Sequence, residues 1–507
     1  VLGLAKRSGT QFVSNLISGE TTIGSPHITT INRDVTERYV VIFTTNNVRV
    51  FELDGTEKTV NKPDGVSYLS CTTPRSQIKT ITIADFTFVV NTSITAAMDS
   101  TLSAGSGTQA IVFFNQVTDN TTYSVTVDGV TVNKDTSSDN PLSTATVAAA
   151  IKSGLDSGLT GFTIARNGPV LHIKKNDNSN FSIDSTDTQG NTHITTVKNT
   201  VQQFSDLPTV APNGMVVEVK GDESTNFDNY YVKFVTNNGG TFEEGQWEES
   251  VEAGITFKFN YDTMPHVLIR QTDGNFRFAR VDGDTYTLTI DGSATNFELP
   301  KWGERTVGDE ESAPNPSFIG SKINNVFFFR NRLGFLADDN VVLSRVSEFF
   351  NFFPETVLTV IDSDPIDVAA SHTKVAILKN AVNMGEKLIL FSDQTQFNLT
   401  SSSDSLTPKT ANVIVTTEFE STDSAPPVGS GSSIYYLTKK GDFAGVREYI
   451  SQEGIEVRDA SNITIHIPRL IPNDIYKVAV STNEDVLVLL GATNPNILYV
   501  NRWLYGS

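Results

Sequence analysis

Short apolar runs, each followed by a polar turn and a second apolar run, recur along most of the chain. The turns contain Asn-Asn, Ser-Asp, Lys-Gly-Asp and Asn-Glu-Asp, which are residue types that tolerate tight backbone geometry. This pattern predicts β-hairpins at 38–53, 78–91, 387–400, 433–450 and 478–505. Regular hairpins of this length indicate a mainly β protein and are typical of a β-propeller or another radial assembly, although a β-sandwich fits the same pattern.

The densest apolar segment, at 318–353, predicts a pair of core hairpins. Residues 326–329 and 333–336 are predicted to be buried strands, with Arg330, Asn331 and Arg332 forming the polar turn between them. The many phenylalanines of this segment are spaced for packing, and nothing near them indicates a surface for stacking nucleotides. An Arg-x-Arg turn between buried strands is either a solvated tip or part of a subunit interface, and the sequence leaves both interpretations open.

The composition changes between about residues 104 and 262, where Thr, Ser, Asn, Asp and Gly dominate and aromatic residues are sparser. This change predicts inserted modules, called the insertion below. The insertion interrupts a β-propeller-like platform that is formed by 1–103 and 263–507. A surface excursion of the platform is predicted at 282–318, where acidic and proline-containing stretches occur.

The first part of the insertion, at about 110–200, is predicted to be an α+β module. Hairpins at 123–133 and 162–175 flank one amphipathic helix at 144–159. Thr144 is the expected cap of this helix. Its apolar stripe is predicted to consist of Val147, Ala148, Ile151 and Leu155.

The second part of the insertion, at about 201–262, is predicted to be a β module. Aromatic residues alternate with polar ones there, namely Tyr230, Tyr231, Phe234, Phe242 and Trp247. If exposed together, such side chains would bind a saccharide or a partner protein. We favour the alternative, which is a half-buried sheet face.

Length and charge limit the number of domains and the classes of function that the chain can have. A chain of 507 residues is too long for one hydrophobic core and is expected to form roughly three domains. The formal charge of −20 argues against tight neutralisation of nucleic-acid phosphates. It does not exclude a DNA-handling role, because a wall that repels phosphate lets duplex pass without sticking. The single cysteine, Cys71, excludes an intramolecular disulfide, and no transmembrane segment or signal peptide is indicated.

Motifs for catalysis or metal binding are weak. The six histidines form no HExxH pair, and His266 is expected to be structural. The acidic clusters are Asp362, Asp364 and Asp367, and Asp309, Glu310 and Glu311. A glycan hydrolase needs two suitably spaced carboxylates, but these clusters are more simply turns. The segment 176–187 resembles a calcium loop, yet Phe181 stands where that loop needs glycine. We therefore assign no catalytic, cofactor-binding or metal residue.

Five blocks, in one order along the chain, carry a family resemblance. They are IADFTFVVN at 83–91, MPHVLIRQTDGNFRF at 264–278, the segment 318–353, DSDPIDVAASHTKVAILKNAV at 362–382, and GEKLILFSDQTQFNLT at 385–400. Together with weaker matches over most of the chain, they resemble the tail nozzle proteins, also called tail tubular protein B, of short-tailed, podovirus-type bacteriophages. Compared with the family pattern, we expect a short amino-terminal piece and a large carboxy-terminal part to be missing.

The resemblance implies a structural role without enzymatic activity or cofactors. It implies a ring, expected to be a hexamer, that lies in the virion tail and assembles in the host cytoplasm. Implied partners are the tail adaptor ring, the tail fibre, the double-stranded DNA that passes through the lumen, and the host envelope at infection. Tail-associated glycan hydrolysis and saccharide binding remain the alternative functions.

In rings of this kind, one patch of each subunit contacts a different patch of the next subunit, and the repeated rotation closes the ring. We expect Arg330 and Arg332, or the acidic turn at Asp338 and Asp339, to contribute to that seam or to brace it.

Overall fold

The structure is a computed structural model that describes residues 11–17, 23–105, 109–220, 229–290, 292–373, 376–403, 405–450 and 460–502. Within these ranges the chain forms 38 strands, two α-helices and two short 3-10 turns. The predicted mainly β class is therefore confirmed.

The amino-terminal region forms one complete sheet and begins a second. The first sheet has the order β1-β2-β3-β4, and the second begins with the hairpin β6-β7. The elements are β1 (His27–Asn32), β2 (Arg38–Thr44), β3 (Asn47–Glu52), β4 (Glu57–Lys58), β5 (Val60–Asn61), α1 (Pro74–Gln77), β6 (Ile78–Ile83) and β7 (Phe86–Asn91).

The first module of the insertion packs two sheets and one helix around its own core. The sheet orders are β10-β9-β13 and β11-β12-β8-β14, so strands distant in sequence lie side by side. The elements are β8 (Gln109–Phe114), β9 (Thr122–Val127), β10 (Val130–Asp135), α2 (Thr144–Gly158), β11 (Phe162–Asn167), β12 (Val170–Lys175), β13 (Ile183–Asp187) and β14 (Ile194–Val197). The predicted helix stripe is confirmed, since Val147, Ala148, Ile151 and Leu155 are all buried. The residue at the cap position is Ser143 rather than Thr144.

The second module of the insertion is one five-stranded sheet, ordered β15-β17-β18-β19-β16. Its strands are β15 (Thr200–Val201), β16 (Val210–Pro212), β17 (Val216–Val219), β18 (Tyr230–Thr236) and β19 (Phe242–Ser250). The two modules share apolar contacts, because Ile111, Val170 and Val197 of the first pack with Met215 and Phe234 of the second.

The chain then returns to the second sheet with β20 (His266–Arg270) and β21 (Phe276–Ala279). The completed order is β5-β21-β20-β7-β6, and His266 lies opposite Val89. The strands that precede and follow the insertion are therefore direct neighbours.

The predicted surface excursion at 282–318 divides into two parts. The hairpin of β22 (Thr285–Ile290) and β23 (Ser293–Glu298) is mostly exposed, as expected. In the following residues the acidic Glu310 and Glu311 are exposed, whereas the apolar side chains of Leu299, Trp302 and Phe318 are buried in the core between the second and third sheets. The segment is mostly polar in sequence, and its few large apolar side chains point inward.

Four further sheets follow in strict chain order: the third has β24 to β27, the fourth β28 to β31, the fifth β32 to β35, and the sixth β36 to β38. All five hairpins expected from the repeated pattern are present in the described residues, and positions 503–505 of the predicted segment 478–505 lie outside them. The strands are β24 (Ile323–Phe329), β25 (Arg332–Ala337), β26 (Asn340–Leu343), β27 (Ile366–Ala369), β28 (Asn380–Met384), β29 (Lys387–Phe391), β30 (Gln396–Ser401), β31 (Ala411–Thr417), β32 (Val428–Ser430), β33 (Ser433–Lys440), β34 (Phe443–Ile450), β35 (Ala460–Asn462), β36 (Ile475–Ser481), β37 (Val486–Gly491) and β38 (Leu498–Arg502).

Each apolar core of the platform lies between two consecutive sheets. One cluster joins the first and second sheets, another the second and third, and the next joins the third and fourth. Two more clusters join the fourth to the fifth and the fifth to the sixth sheet. Alternate side chains of one strand thus serve different cores: Phe335 packs toward the second sheet, and Leu336 packs toward the fourth.

Candidate functional site

The turn between β24 and β25 consists of two residues, Arg330 and Asn331. Phe329 pairs with Arg332, and Arg330 and Asn331 have φ values of 45° and 60°. Two positive φ values in succession are typical of the tight turn that matches strand twist. The Arg330 side chain is 34% exposed, and Nη2 donates to the Glu386 carbonyl oxygen at 3.4 Å. Arg330 therefore lies at the surface, where the third and fourth sheets meet.

Arg332 belongs to strand β25 and not to the turn, which corrects the sequence interpretation. Its side chain is only 1% exposed. Nη1 donates to the carbonyl oxygens of Ser344 at 2.7 Å and Asp364 at 2.6 Å, and Nη2 donates to that of Asp362 at 2.8 Å. Burial lowers the pKa of Arg332 to about 10. The guanidinium binds the loop that follows β26 to the third sheet, so it cannot contact a neighbouring subunit directly.

The turn at Asp338 and Asp339 lies at the other end of β25. The Asp338 carboxylate accepts a hydrogen bond from Ser321 Oγ at 2.6 Å, and its carbonyl accepts one from the Leu378 amide at 2.7 Å. A strand of six residues spans about 20 Å. The two predicted parts of the seam are therefore separated by the length of the sheet.

The acidic clusters stabilise turns. The Asp364 carboxylate accepts hydrogen bonds from the amides of Ile361 at 2.9 Å and Glu355 at 3.3 Å. The Asp309 carboxylate likewise accepts a hydrogen bond from the Ser312 amide at 2.8 Å. Burial raises the pKa of Asp367, whose carboxylate accepts the Ser317 amide at 2.7 Å. These contacts fit the expectation of turns and use the carboxylate oxygens for backbone amides.

The aromatic residues of the second inserted module do not form one exposed surface. Trp247 pairs with Phe234 across β18 and β19, and its Nε1 donates to the Pro208 carbonyl oxygen at 2.8 Å. Tyr230 lies on the same face as Phe234, whereas Tyr231 points to the opposite face because side chains alternate along a strand. All three candidate side chains, Tyr230, Tyr231 and Trp247, are partly buried.

His266 is buried and packs between aromatic rings. It stacks on Tyr68 with a centroid distance of 3.9 Å, and Nδ1 lies 3.0 Å from the Met264 carbonyl oxygen. Burial lowers the pKa of His266 to about 4. The ring is therefore neutral at physiological pH and has the structural role that the sequence predicts.

No group of three or more His, Cys, Asp or Glu in the described ranges is placed to hold a metal ion. The helices among those residues are too short or too polar to cross a membrane.

One group of side chains lines a cavity that the sequence does not predict. Arg75, Lys79 and Lys477 line a cavity of about 430 Å³ between the first, second, fifth and sixth sheets. They come from α1, β6 and β36, which are far apart in the sequence. No local motif marks them, and only the order of the sheets brings them together.

Comparison with known proteins identifies relatives of this chain. It is 32% identical to tail tubular protein gp12 of Escherichia phage T7, over 99% of this chain and 62% of that protein. The chain thus spans less than two thirds of that relative's length.

Solved structures give weaker matches. A putative 6-phosphogluconolactonase from Bacteroides uniformis has 12% identity and a TM-score of 0.26, with 55% of this chain and 88% of that chain covered. PorZ of the Porphyromonas gingivalis type-IX secretion system has 11% identity and a TM-score of 0.21, with 91% and 67% covered. Likeness at this level carries no conclusion about fold or function.

The family model described as bacteriophage nozzle protein matches residues 1–507, which is the whole chain. The mainly β architecture, the neutral buried His266 and the turn-forming acidic residues are compatible with that match. The chain belongs to the bacteriophage nozzle protein family.

Proposed function

We propose that the chain is a structural subunit of a phage tail nozzle, located in the virion tail and assembled in the host cytoplasm. The family match along the whole chain is the observation that carries this proposal. The identity with tail tubular protein gp12 of phage T7 supports it. Neither relationship favours a glycan hydrolase or a saccharide-binding module. The carboxylates of Asp364 and Asp309, which are already committed to backbone amides, give the hydrolase no independent support.

The six platform sheets are proposed to form a propeller-like ring within the subunit. One edge strand of each sheet contacts an edge strand of the next: β1 with β6, β6 with β24, β24 with β28, β28 with β32, and β32 with β36. The sixth sheet also returns to the beginning of the platform, because the Arg75 guanidinium lies 4.0 Å from the Tyr476 ring centroid. Such a circular order of stacked sheets favours a propeller over a two-layer sandwich.

In the assembled tail, subunits form a ring that is expected to be a hexamer. The ring attaches to the tail adaptor, holds the tail fibre at its side and meets the host envelope at infection. The insertion is the proposed contact for the fibre, because it leaves the second sheet between neighbouring strands and builds separate modules. Double-stranded DNA passes through the lumen of the ring.

Arg330 and the acidic turn remain the proposed seam, and Arg332 braces it from inside the subunit. The loop after β26 lies at the Arg330 end of the third sheet, since the Ser347 amide donates to the Asn331 carbonyl oxygen at 2.9 Å. In this loop Val346, Leu358 and Val360 are 37%, 52% and 49% exposed. Val346 is next to Ser347 in the chain, so an exposed apolar side chain and the exposed Arg330 lie at the same end of the sheet, a combination found in interface cores. Asp338 and Asp339, at the opposite end, supply a second and different patch, as a heterologous ring contact requires.

The test replaces Arg330 with Asn, which keeps the positive φ value of the turn and removes the charge. We expect the Arg330→Asn subunit to unfold at the same denaturant concentration as the unmodified chain, whereas its rings should dissociate at lower salt. Native mass spectrometry measures the ring population. Arg469→Asn, at an exposed residue between the fifth and sixth sheets, makes the same charge change elsewhere. Rings of Arg330→Asn that are as stable as those of Arg469→Asn would remove Arg330 from the seam.

Arg332 behaves differently in the same assay. Arg332→Ala leaves several carbonyl oxygens buried without their donor, which costs about 3–5 kcal/mol of unfolding free energy. Replacing both arginines together would therefore confound folding with assembly. Denaturant unfolding of the isolated subunit measures the loss, and a stable Arg332→Ala subunit would contradict the bracing role.

The lumen wall is proposed to be neutral to acidic over most of its length. With a formal charge of −20, most surfaces of the subunit repel phosphate, so duplex slides without a deep binding minimum. We expect purified rings to bind duplex DNA weakly at physiological salt and without sequence preference. Fluorescence anisotropy across a salt series measures this. Tight binding with a steep salt dependence would instead reveal a basic lumen.

A further inference from the structure

We propose that the cavity between the first, second, fifth and sixth sheets is a binding site for a phosphate group. This cavity, called the central cavity below, has a volume of about 430 Å³. It is lined by β1, α1, β6, β36, the end of β37 and the segment before β32. Because it lies within one subunit, the proposal does not depend on ring formation.

The central cavity concentrates positive charge in an acidic chain. Arg75, Lys79 and Lys477 line it, together with one carboxylate, that of Asp423. Asp423 is shared with Lys379, whose Nζ lies 3.3 Å from its Oδ2. Considering the described ranges alone, neither Lys79 nor Lys477 forms an ion pair or a side-chain hydrogen bond. Within those ranges the lining therefore carries more positive than negative charge.

The surroundings of Lys79 and His27 also indicate uncompensated positive charge in the central cavity. Burial lowers the pKa of Lys79, although the Asp423 carboxylate opposes this shift. Burial, followed by the charges of Lys79 and Lys477, lowers the pKa of His27 to about 3. The His27 ring nitrogen Nε2 lies 3.0 Å from Thr80 Oγ1. An anion in the central cavity would relieve the uncompensated charge that these shifts record.

The geometry suits a tetrahedral oxyanion. The Arg75 guanidinium is held over the Tyr476 ring at 4.0 Å, which fixes its donors in one plane. Two lysine ammonium groups supply further donors, and Ser76 and Ser424 are also among the lining residues. A phosphate group presents several acceptor oxygens and carries enough charge to pair with more than one cation. Its source is either free inorganic phosphate or the 5′-phosphate of a DNA end.

The experiment measures thermal unfolding of the 507-residue chain in chloride and in phosphate at equal ionic strength. We expect phosphate to raise the midpoint in a saturable way, because a ligand that binds only the native state stabilises it. Lys79→Met should raise the midpoint in chloride, since it removes a partly buried ammonium without a partner. It should also weaken phosphate affinity by about tenfold or more, the loss expected for one charge-assisted hydrogen bond. Lys477→Gln should weaken phosphate affinity but should not raise the unfolding midpoint in chloride, because Lys477 is exposed.

The matched control is the double variant Lys439→Gln with Lys440→Gln, which alters two exposed lysines on the β33-β34 hairpin. It should keep the full phosphate response. Histidine NMR adds a second readout, because bound phosphate should raise the pH at which the His27 ring titrates in the unmodified chain. No midpoint shift with phosphate, or an equal shift in Lys79→Met, would overturn the proposal.

The source is distinguished with a 5′-phosphorylated oligonucleotide and the same oligonucleotide without the phosphate. A Lys79-dependent preference for the phosphorylated form supports a DNA end as the ligand. A response to inorganic phosphate alone supports a free anion.

Discussion

The platform and the insertion bury their apolar residues in different ways. In the first inserted module, the core residues all come from β8 to β14 and α2, so the module closes around itself. Among the described residues each apolar core of the platform joins two consecutive sheets instead, so the second to fifth sheets share apolar side chains with both neighbours. The module can thus fold as a unit, whereas a platform sheet is stable only between its neighbours.

This difference has consequences for dynamics and for function. Sheets that share their cores are expected to open cooperatively, which suits the proposed wall around DNA. A module with its own core can be displaced, exchanged or lost without opening that wall.

The largest effect is expected from Phe335→Ala in the platform. Phe335 is fully buried and lies against Trp302, Phe318 and Phe352, with centroid distances of 6.2, 5.5 and 5.1 Å. Truncation of a buried phenylalanine costs about 3–5 kcal/mol. Because the cores are shared, we expect all six sheets to lose protection together. Hydrogen exchange with mass spectrometry measures the protection of each segment.

Phe114→Ala is the matched change in the insertion, since Phe114 is 1% exposed and contacts the Tyr123 ring at 5.9 Å. A similar free-energy cost is expected, but exchange should rise only between β8 and β14. If Phe335→Ala opened the third sheet alone, or if Phe114→Ala opened the platform, the two regions would not differ in cooperativity.

The same contrast explains how far the sequence could predict the fold. The hairpins at 38–53 and 433–450 could be located because their turns and apolar alternation are local features. The helix stripe of α2, from Val147 to Leu155, is equally local. The pairing of β20 with β7 could not be located, because the whole insertion separates the two strands.

The candidate site shows the same limit. Asp338 and Asp339 were correctly placed in a turn, which their residue types favour. Arg332 is a strand residue whose partners, the carbonyl oxygens of Asp362 and Asp364, lie beyond the next strand. Lys79 and Lys477 share a cavity only because the sixth sheet returns to the second. Contacts of this kind depend on sheet order, which hydrophobic periodicity does not encode.

An intermediate effect is expected from Gly154→Ala in α2. A methyl group at Gly154 would lie 2.4 Å from Val132 Cγ1, because the helix packs closely on β10. Alanine favours a helix by about 1 kcal/mol over glycine, but overpacking costs about 1–3 kcal/mol. We expect a small net loss that is confined to the first inserted module. Hydrogen exchange of α2 measures it.

Ser153→Ala, at the exposed neighbouring position, is the control and should leave the module at least as stable. The double variant Gly154→Ala with Val132→Ala removes the clashing side chain and should recover part of the loss. Faster exchange in the platform of Gly154→Ala would show that the module is coupled to it.

Removal of the insertion as a whole is expected to leave the platform folded. The two ends of the insertion lie side by side. The Gly254 amide donates to the Ser103 carbonyl oxygen at 3.1 Å, and the Ser103 amide donates to the Ile255 carbonyl oxygen at 2.9 Å. A short Gly-Ser linker can therefore replace 104–253, and closing a shorter loop costs little entropy. The deletion removes the hydrogen bonds that Glu249 accepts from Thr356 Oγ1 at 2.6 Å and from the Val357 amide at 2.7 Å. It also removes the pairing with Gly308, whose amide donates to the Ser250 carbonyl oxygen at 3.0 Å and whose carbonyl oxygen accepts the Glu252 amide at 2.8 Å, and the bond from the Ser103 hydroxyl to the Glu252 carbonyl oxygen. We expect the platform to stay folded with a loss of about 2–4 kcal/mol, while fibre binding disappears.

A shorter deletion of 110–200 tests the same boundary from the other side. It removes Ile111, Val170 and Val197, so Met215 and Phe234 lose the part of their packing that the first module supplies. Exposed apolar residues of this kind promote association, so this variant should aggregate although less of the chain is missing. Analytical ultracentrifugation compares the two deletions with the unmodified chain. A soluble 110–200 deletion beside an unfolded 104–253 deletion would reverse the comparison, because the second inserted module would then belong to the platform and not to the insertion.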